Sequence, residues 1–507
     1  MSDIETLPAG WTRANLADVI AARTERVKPQ DFPNLPFVGL GNIEAQSMRL
    51  LKAAIASEVK SSCFRFRSGD VLYSRLRPYL NKVTQPSFDG VCSAELIVLQ
   101  PSGVLTSDFL QYRLNAADFV EFASGLNAGD RPRVDLTEIG RFETLIPPAR
   151  EQKRISDRIK SLLANLECGM SGLAQAMANL SRYQEAVLHS AVTGSLTAEW
   201  RAANPAKEDG KALLERILRE RRERWEKEQL ASFAAKGKQP PKGWREKYEE
   251  PPAPDTTQLP ELPEEWAWAS IDQLLASLRN GYFASPCPGS DGTPILRINA
   301  VRPMRVDLDE VRHLDVTPES DLIADFLIED GDLLFTRYNG SRDFVGVAGM
   351  VRGCVKKILH PDKLIRVALL EKGSHPAFVE ICANTGSSRR HILSKARTTA
   401  GQTGVSGADI RQMPIPLPSL EEQDRIASVV GDRLQELLRA QKTLDEQIAR
   451  AGELRQSILK AAFEGRLVPQ DPNDEPASTL LERIKAKSSA AASTKTKITK
   501  RRKAAAK

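Results

Sequence analysis

Two stretches of this chain carry an apolar stripe far longer than one globular helix needs. In the first, Ile155, Ile159, Leu162, Leu166, Leu173, Leu180, Tyr183 and Val187 recur at steps of three, four or seven, and the small Gly169 and Ala176 fill the missing heptad positions. In the second, Ile426, Val430, Leu434, Leu437, Leu444, Ile448, Leu454 and Ile458 repeat the pattern. A core-facing helix would give the same stripe. Its length favours a coiled-coil-like helix of roughly 40 residues, about 60 Å long. Each stretch opens behind prolines, on Glu151-Gln152-Lys153-Arg154-Ile155 and on Glu422-Gln423-Asp424-Arg425-Ile426. Glu422 follows Glu151 by 271 residues, and Gly465 follows Gly194 by the same 271, with no insertion between. Loops drift in length, so a length held this tightly implies that the helices measure something.

The shorter patterns place a mixed α/β domain before each long helix. In residues 1–148 a helix is expected at 16–22, strands at 37–40, 71–73 and 94–99, and a helix capped by Ser107 running to residue 122. The chain restarts at Leu262-Pro263-Glu264-Glu265-Trp266, matching Leu7-Pro8-Ala9-Gly10-Trp11. Gly331-Asp332-Leu333-Leu334-Phe335-Thr336-Arg337 matches Gly69-Asp70-Val71-Leu72-Tyr73-Ser74-Arg75, and Leu480-Leu481-Glu482-Arg483-Ile484 answers Leu213-Leu214-Glu215-Arg216-Ile217. The chain is a tandem duplication. Its expected organisation is a domain at 1–148, a long helix at 149–196, and a charged, Pro-rich connector at 197–261. A second domain at 262–420, a second long helix at 421–467, and a short helix with a basic disordered tail at 468–507 follow. In the connector, Glu215 with Arg219 and Glu220 with Arg224 predict a solvated helix, and Pro240-Pro241 and Pro251-Pro252 a stiff linker.

Composition narrows the function. The 507 residues are 41% hydrophobic, with no apolar run of membrane-spanning length and no basic-then-apolar leader, which predicts a cytoplasmic protein. The six cysteines are scattered without a C-x-x-C pair, which argues against a disulfide framework or structural zinc. Net charge is +6, but nine positive charges and no acid lie from Lys485 onward, leaving residues 1–484 at −3. Nucleic-acid binding by the body would need local basic patches.

No phosphate loop, H-E-x-x-H or amino-methyltransferase motif is present, so no metal and no catalytic residue is assigned. Gly39-Leu40-Gly41 is too short a fragment for a nucleotide loop, and Glu58-Val59-Lys60 lacks a second acid at nuclease spacing. The duplication is a sharper tool. Positions alike in both halves share a role, and aligned positions that differ carry what distinguishes the halves. The Gly-Asp turn reads as structural, and the shared Arg75 and Arg337 as either phosphate contacts or braces. Before the long helices, Arg131-Pro132-Arg133 aligns with Gln402-Thr403-Gly404. Arg and Gln are the side chains that make bidentate contacts to guanine and adenine. After the turn, Arg77, Tyr79, Asn81 and Lys82 stand against Tyr338, Asn339 and Arg342. Loop drift and base reading both account for these differences.

These residues in this order resemble the specificity subunit of a type I restriction–modification enzyme over nearly the whole chain. The resemblance implies two mixed α/β target recognition domains, each reading half of a bipartite DNA site, separated by two long antiparallel helices, an α+β architecture. It implies a non-catalytic chain that binds no cofactor itself. Two modification subunits that use S-adenosylmethionine would dock on the helices, for which Ile155, Ile159, Leu162, Leu166, Ile426, Val430, Leu437 and Leu444 are the candidates. Restriction subunits that use ATP and Mg would join them. The competing readings are a single-chain DNA methyltransferase or nuclease with a degenerate motif, and a coiled-coil scaffold that binds protein only.

Overall fold

A computed structural model describes residues 7–101, 103–283, 292–315, 323–399 and 401–486. The chain forms two compact units, one from residues 1–176 with 443–507 and the other from 177–442. Each unit therefore holds one domain, the start of its own long helix and the end of the other.

Both long helices contain 44 residues, Ala149–Val192 and Leu420–Phe463, and their two ends keep the 271-residue offset. In the first unit Ile155, Ile159 and Leu163 share a core with Ile458, Leu459, Ala462 and Phe463. In the second, Ile426 and Val430 share one with Val187, Leu188, Ala191 and Val192. Start meets end in both, so the helices run antiparallel.

The domains are built on one plan. A two-stranded antiparallel pair joins each domain's beginning to its end, Thr12–Asn15 with Glu143–Ile146 and Ala267–Ser270 with Pro414–Leu417. The helix therefore leaves from beside the point where the domain began. A four-stranded antiparallel sheet follows in equivalent order. It is Ile20–Ala22, Leu96–Pro101, Val71–Ser74, Val83–Thr84 in the first domain and Leu275–Asn280, Leu364–Leu369, Leu333–Thr336, Ala348–Met350 in the second. The Gly-Asp turn feeds its third strand. Gly69 and Gly331 have φ of 88° and 87°, a region glycine enters without strain. Asp70 bonds Arg23 at 2.8 Å and the Arg67 N–H at 2.8 Å, and Asp332 bonds Arg366 at 2.5 Å and the Glu329 N–H at 2.7 Å. This turn is structural.

The domains diverge beyond that frame. The first adds a five-stranded sheet in which Pro36–Val38 pairs parallel with Gly90–Ser93. The second has short ribbons in its place, among them Thr293–Leu296 with Val311–Leu314.

The glutamine of Glu-Gln-x-Arg-Ile fastens helix to domain. The Gln152 carbonyl accepts from the Thr106 N–H at 2.9 Å, and its amide donates to the carbonyls of Val104 and Pro147. Gln423 accepts from the His375 N–H at 2.8 Å and donates to the Pro418 carbonyl. Each helix ends at a glycine with positive φ, Gly194 at 77° and Gly465 at 72°. A Cβ on Gly194 would lie 2.6 Å from Pro263 Cγ, and one on Gly465 would lie 2.5 Å from Pro8 Cγ. The Leu-Pro-x-x-Trp motif is thus the seat on which the other repeat's helix ends.

Four expectations change. The helix at 16–22 is only Leu16–Val19; Ile20–Ala22 joins the sheet beside Leu96–Pro101, where an extended β-branched residue packs better. The helix at 107–122 is two, Ser107–Arg113 and Ala117–Gly125, and its cap is Thr106, whose Oγ1 accepts from the Phe109 N–H. The connector helix is longer, Gly210–Ala235, and not wholly solvated, because Leu213 and Ile217 are buried in the second core. The Pro-rich stretch beyond it folds back, with Trp244 stacked on Trp225 and Tyr248 tilted against it, at 5.8 and 5.3 Å between centroids. The basic tail beyond residue 486 lies outside the described residues. Among the described residues no helix is long and apolar enough to cross a membrane, and no His/Cys/Asp/Glu group has the placement of a metal site.

Candidate nucleic-acid interface

The strand after each Gly-Asp turn is followed directly by Arg75 or Arg337. From there the backbone runs beside the segment that precedes the long helix. In the first domain the Val134 N–H donates to the Arg75 carbonyl at 2.9 Å, the Arg77 N–H donates to the Pro132 carbonyl at 2.8 Å, and Leu76 bridges Arg133 antiparallel. In the second, the Val405 N–H donates to the Arg337 carbonyl at 2.9 Å, and Tyr338–Asn339 pairs with Gly404 and Thr403. The two segments singled out separately by sequence divergence are therefore neighbours, at equivalent places in both domains.

Their side chains differ in availability. Arg131, Tyr79 and Gln402 are exposed. Arg133 is exposed but bonds Glu95 at 2.7 Å. The Lys82 ammonium donates to the Leu40 carbonyl at 2.6 Å, and Arg342 donates to the Leu393 carbonyl at 3.1 Å. Asn339 accepts from the Ser341 N–H, and the buried Thr403 shares a 3.0 Å hydroxyl contact with the exposed Thr398. Asn81 is buried. It and Arg77 hold the left-handed conformation, at φ 40° and 52°, on either side of the turn Pro78–Leu80. Non-glycine residues held there store on the order of 1–3 kcal/mol each, which only a well-determined loop sustains. Arg75 and Arg337 are half-buried, and the Nε of each is sealed from solvent without a hydrogen-bond partner. The Arg337 guanidinium lies over the Tyr338 ring, 4.8 Å from its centroid.

The helix starts behind this surface carry a second matched pair. The Glu422 carboxylate is buried and accepts from Arg201 at 2.6 Å, the Thr197 hydroxyl at 2.6 Å and the Trp266 indole at 2.9 Å. Glu151 is equally buried, but among the described residues the hydrogen bond of normal geometry to its carboxylate is a long one, from the Gln470 amide at 3.4 Å. Its Oε2 and the Trp11 indole nitrogen have no hydrogen-bond partner of normal geometry. Burial raises the Glu151 carboxyl above the ordinary range, outweighing the opposing pull of Trp11, Gln470 and Arg154.

Of the helix residues predicted for docking, Ile155, Ile159, Ile426 and Val430 are enclosed in their own units' cores, and Leu437 is also buried. Leu162, Leu166 and Leu444 are half-buried. The large apolar side chains exposed on the helices are Met170, Tyr183, Leu438 and Leu454. Sequence reasoning placed Tyr183 and Leu454 in its stripes but nominated none of these four for docking, and it missed Arg201, Thr197, Glu95 and a strand at Arg397–Thr399. The last had a signal. Thr398-Thr399 and Gln402-Thr403 flank a glycine, the composition of a hairpin.

A repeated frame that displays different polar side chains twice, on domains anchored to a pair of antiparallel helices, defines a two-domain recognition subunit. The comparisons with known proteins make the assignment particular. The sequence pattern of the type I restriction modification DNA specificity domain matches residues 8–170. The EcoKI specificity subunit of Escherichia coli (strain K12) is 31% identical over 420 residues, covering 80% of this chain and 76% of the relative. The Escherichia coli EcoEI specificity subunit is 24% identical over 484 residues, covering 84% and 78%. In fold, the chain matches one from a solved structure of type I R-M system assembly, with TM-score 0.62 at 16% identity, covering 91% of this chain and 99% of that one. The chain belongs to the family of type I restriction enzyme specificity subunits, the non-catalytic DNA-recognition components of their systems.

Proposed function

We propose that this chain reads a bipartite DNA site, one half per domain, for a type I restriction–modification complex. The observation that carries this is the repeated pairing of residues 76–77 with 132–133 and of 338–339 with 403–404. A reader of two unrelated half-sites needs a fixed frame with different side chains mounted on it, and this is that arrangement. Arg131 in the first domain and Gln402 in the second contact base edges, with Tyr79 and the strained loop around Arg77 and Asn81 beside Arg131. Arg133, Lys82, Asn339, Arg342 and Thr403 mainly hold the loops in shape. Arg75 and Arg337, alike in both halves, contact phosphates and set register without carrying sequence information.

The recognition domains are residues 1–148 and 262–420. Two adenine N6 methyltransferase subunits dock on the helices, using Met170, Tyr183, Leu438 and Leu454 with the half-buried Leu162, Leu166 and Leu444 beside them. Restriction subunits complete the assembly. S-adenosylmethionine, ATP and Mg belong to those partners, and this chain contributes no bond-making step. The place of action is the cytoplasm, where the DNA is. Equal helices of 44 residues, about 66 Å, fix the gap between half-sites.

Single-molecule methylome mapping of cells with and without this chain tests the reading. The expected result is a gapped two-part motif, methylated on adenine in both halves, that disappears with the chain. Methylation indifferent to the chain would overturn it. Tight binding of S-adenosylmethionine by the purified chain alone would instead support the methyltransferase reading.

A further inference from the structure

In the second domain, Gln402 sits on one strand of a β-ribbon. Arg397–Thr399 and Gln402–Gly404 run antiparallel, with Arg397 opposite Gly404, Thr398 opposite Thr403 and Thr399 opposite Gln402. Tyr338–Asn339 flanks the ribbon on its other side, so Arg397–Thr399 is an edge strand. Side chains alternate across a strand. Thr398 and Thr403, with hydroxyls 3.0 Å apart, share one face, on which Thr403 is buried and Thr398 is exposed. Arg397 and Gln402 share the other face, and both are exposed. Among the described residues no hydrogen bond or ion pair engages the Arg397 guanidinium.

The same face carries a stacked row. Gly404 stands between Arg397 and Tyr338 across the sheet. A Cβ on Gly404 would lie 2.4 Å from Tyr338 Cδ1, so the absent side chain is what lets the tyrosine ring approach the ribbon. Arg337 covers that ring. The result is a narrow, cationic, hydrogen-bonding ribbon with a rigid base. Among the described residues the first domain shows no such ribbon, and its Leu76–Arg133 pairing is an isolated bridge.

A two-stranded ribbon is one of the two elements that B-DNA's major groove admits. We propose that the paired strands Arg397–Thr399 and Gln402–Gly404 enter the major groove of the second half-site, and that Arg397, not Gln402 alone, reads a base there. The proposal rests on the reading of the chain as a DNA specificity subunit. Arg397 matches guanine O6 and N7, and Gln402 matches adenine N6 and N7. Diagonal neighbours on a ribbon lie roughly 7–8 Å apart, about two base-pair steps. The second half-site therefore holds a guanine and an adenine at about that separation.

The test uses the full chain in complex with its modification subunits, comparing Arg397→Ala and Arg397→Lys with the unaltered chain by motif mapping and by binding to single-base variants of the site. Both substitutions are expected to relax discrimination at one guanine of the second half-site by roughly 5- to 150-fold, with the first half-site unchanged. Arg397→Lys keeps the charge and the ribbon but loses the planar fork, so it separates base reading from folding. An intact motif in Arg397→Ala would overturn the proposal. So would weaker binding to every sequence alike with a shallower salt dependence, the mark of a phosphate contact, or loss of the entire second half-site with Arg397→Lys. Absence of any bipartite motif with the unaltered chain would instead overturn the underlying reading.

Discussion

Leu76 bridges Arg133 in the first domain as Tyr338 pairs with Gly404 in the second. Two segments separated by more than fifty residues are held together by the same backbone contacts twice, while the side chains they carry differ. Arg131 stands two residues before that bridge, exposed and next to the strained loop at Arg77 and Asn81. Arg131→Ala should relax one position of the first half-site by about 1–3 kcal/mol and leave the second unchanged. Methylome mapping reads both halves at once, and equal loss at both would make Arg131 a structural residue.

The matched glutamates should respond differently. Removing one member of a buried pair leaves the other unpaired, at a cost of about 3–5 kcal/mol. Glu422→Gln leaves Arg201 only the more exposed Glu265 at 3.6 Å and the Gly194 carbonyl, so the second unit should lose stability towards the lower end of that scale. Glu151→Gln removes a buried charge with no close ion pair and a single long side-chain hydrogen bond, and should be neutral or stabilising in the first unit. Hydrogen exchange resolved by unit distinguishes the two variants, and equal losses would contradict the difference seen in their surroundings.

Acidification should act oppositely on the two units. Glu151 has a folded pKa above its unfolded value of about 4.3. Between those values the folded state binds more protons, so the first unit loses stability as pH rises through the window and regains it as pH falls. His360 is buried, its ring nitrogen 2.7 Å from the Phe326 carbonyl, and burial lowers its pKa from 6.5 to about 4. There the unfolded state binds more protons, so the second unit loses stability as pH falls from 6.5 towards 4. Exchange protection followed from pH 7 to 5 should fall around His360 and not around Glu151.

Gly194 and Gly465 cannot take a side chain without displacing the proline beneath them. Ala at either place adds a positive-φ penalty to a steric clash, more than about 1 kcal/mol in total. Gly465→Ala should loosen the first unit and Gly194→Ala the second, read as early proteolysis near Pro8 or Pro263. Wild-type resistance in both variants would show that the helix ends are not seated there.

Four residues inserted into the middle of one long helix add about 6 Å. The gap in the methylated motif should then lengthen, or methylation should be lost through misphasing of the two halves. An unchanged gap would remove the ruler from the proposed function.

Much of this was legible in the sequence because it is periodic or duplicated. The stripes predicted the long helices, and the 271-residue offset predicted their equality, because a helix advances by a fixed rise and any insertion would displace everything after it. The duplication marked the segments 76–82 with 131–133 and 338–342 with 402–404 as the divergent places. The apolar stripe could not say which of its residues face a partner. Ile155 and Val430 look the same in sequence as Leu444, yet the first two are enclosed by their own domains. Nor could it show that Gln152 and Gln423 are fasteners, since their partners lie 46 to 48 residues away. Only the tertiary structure decided that Arg133 bonds Glu95, that Glu151 lacks the arginine that Glu422 has, and that Arg397 stands beside Gln402. Those are contacts between distant parts of the chain, set by sheet register and packing, to which local propensity is blind.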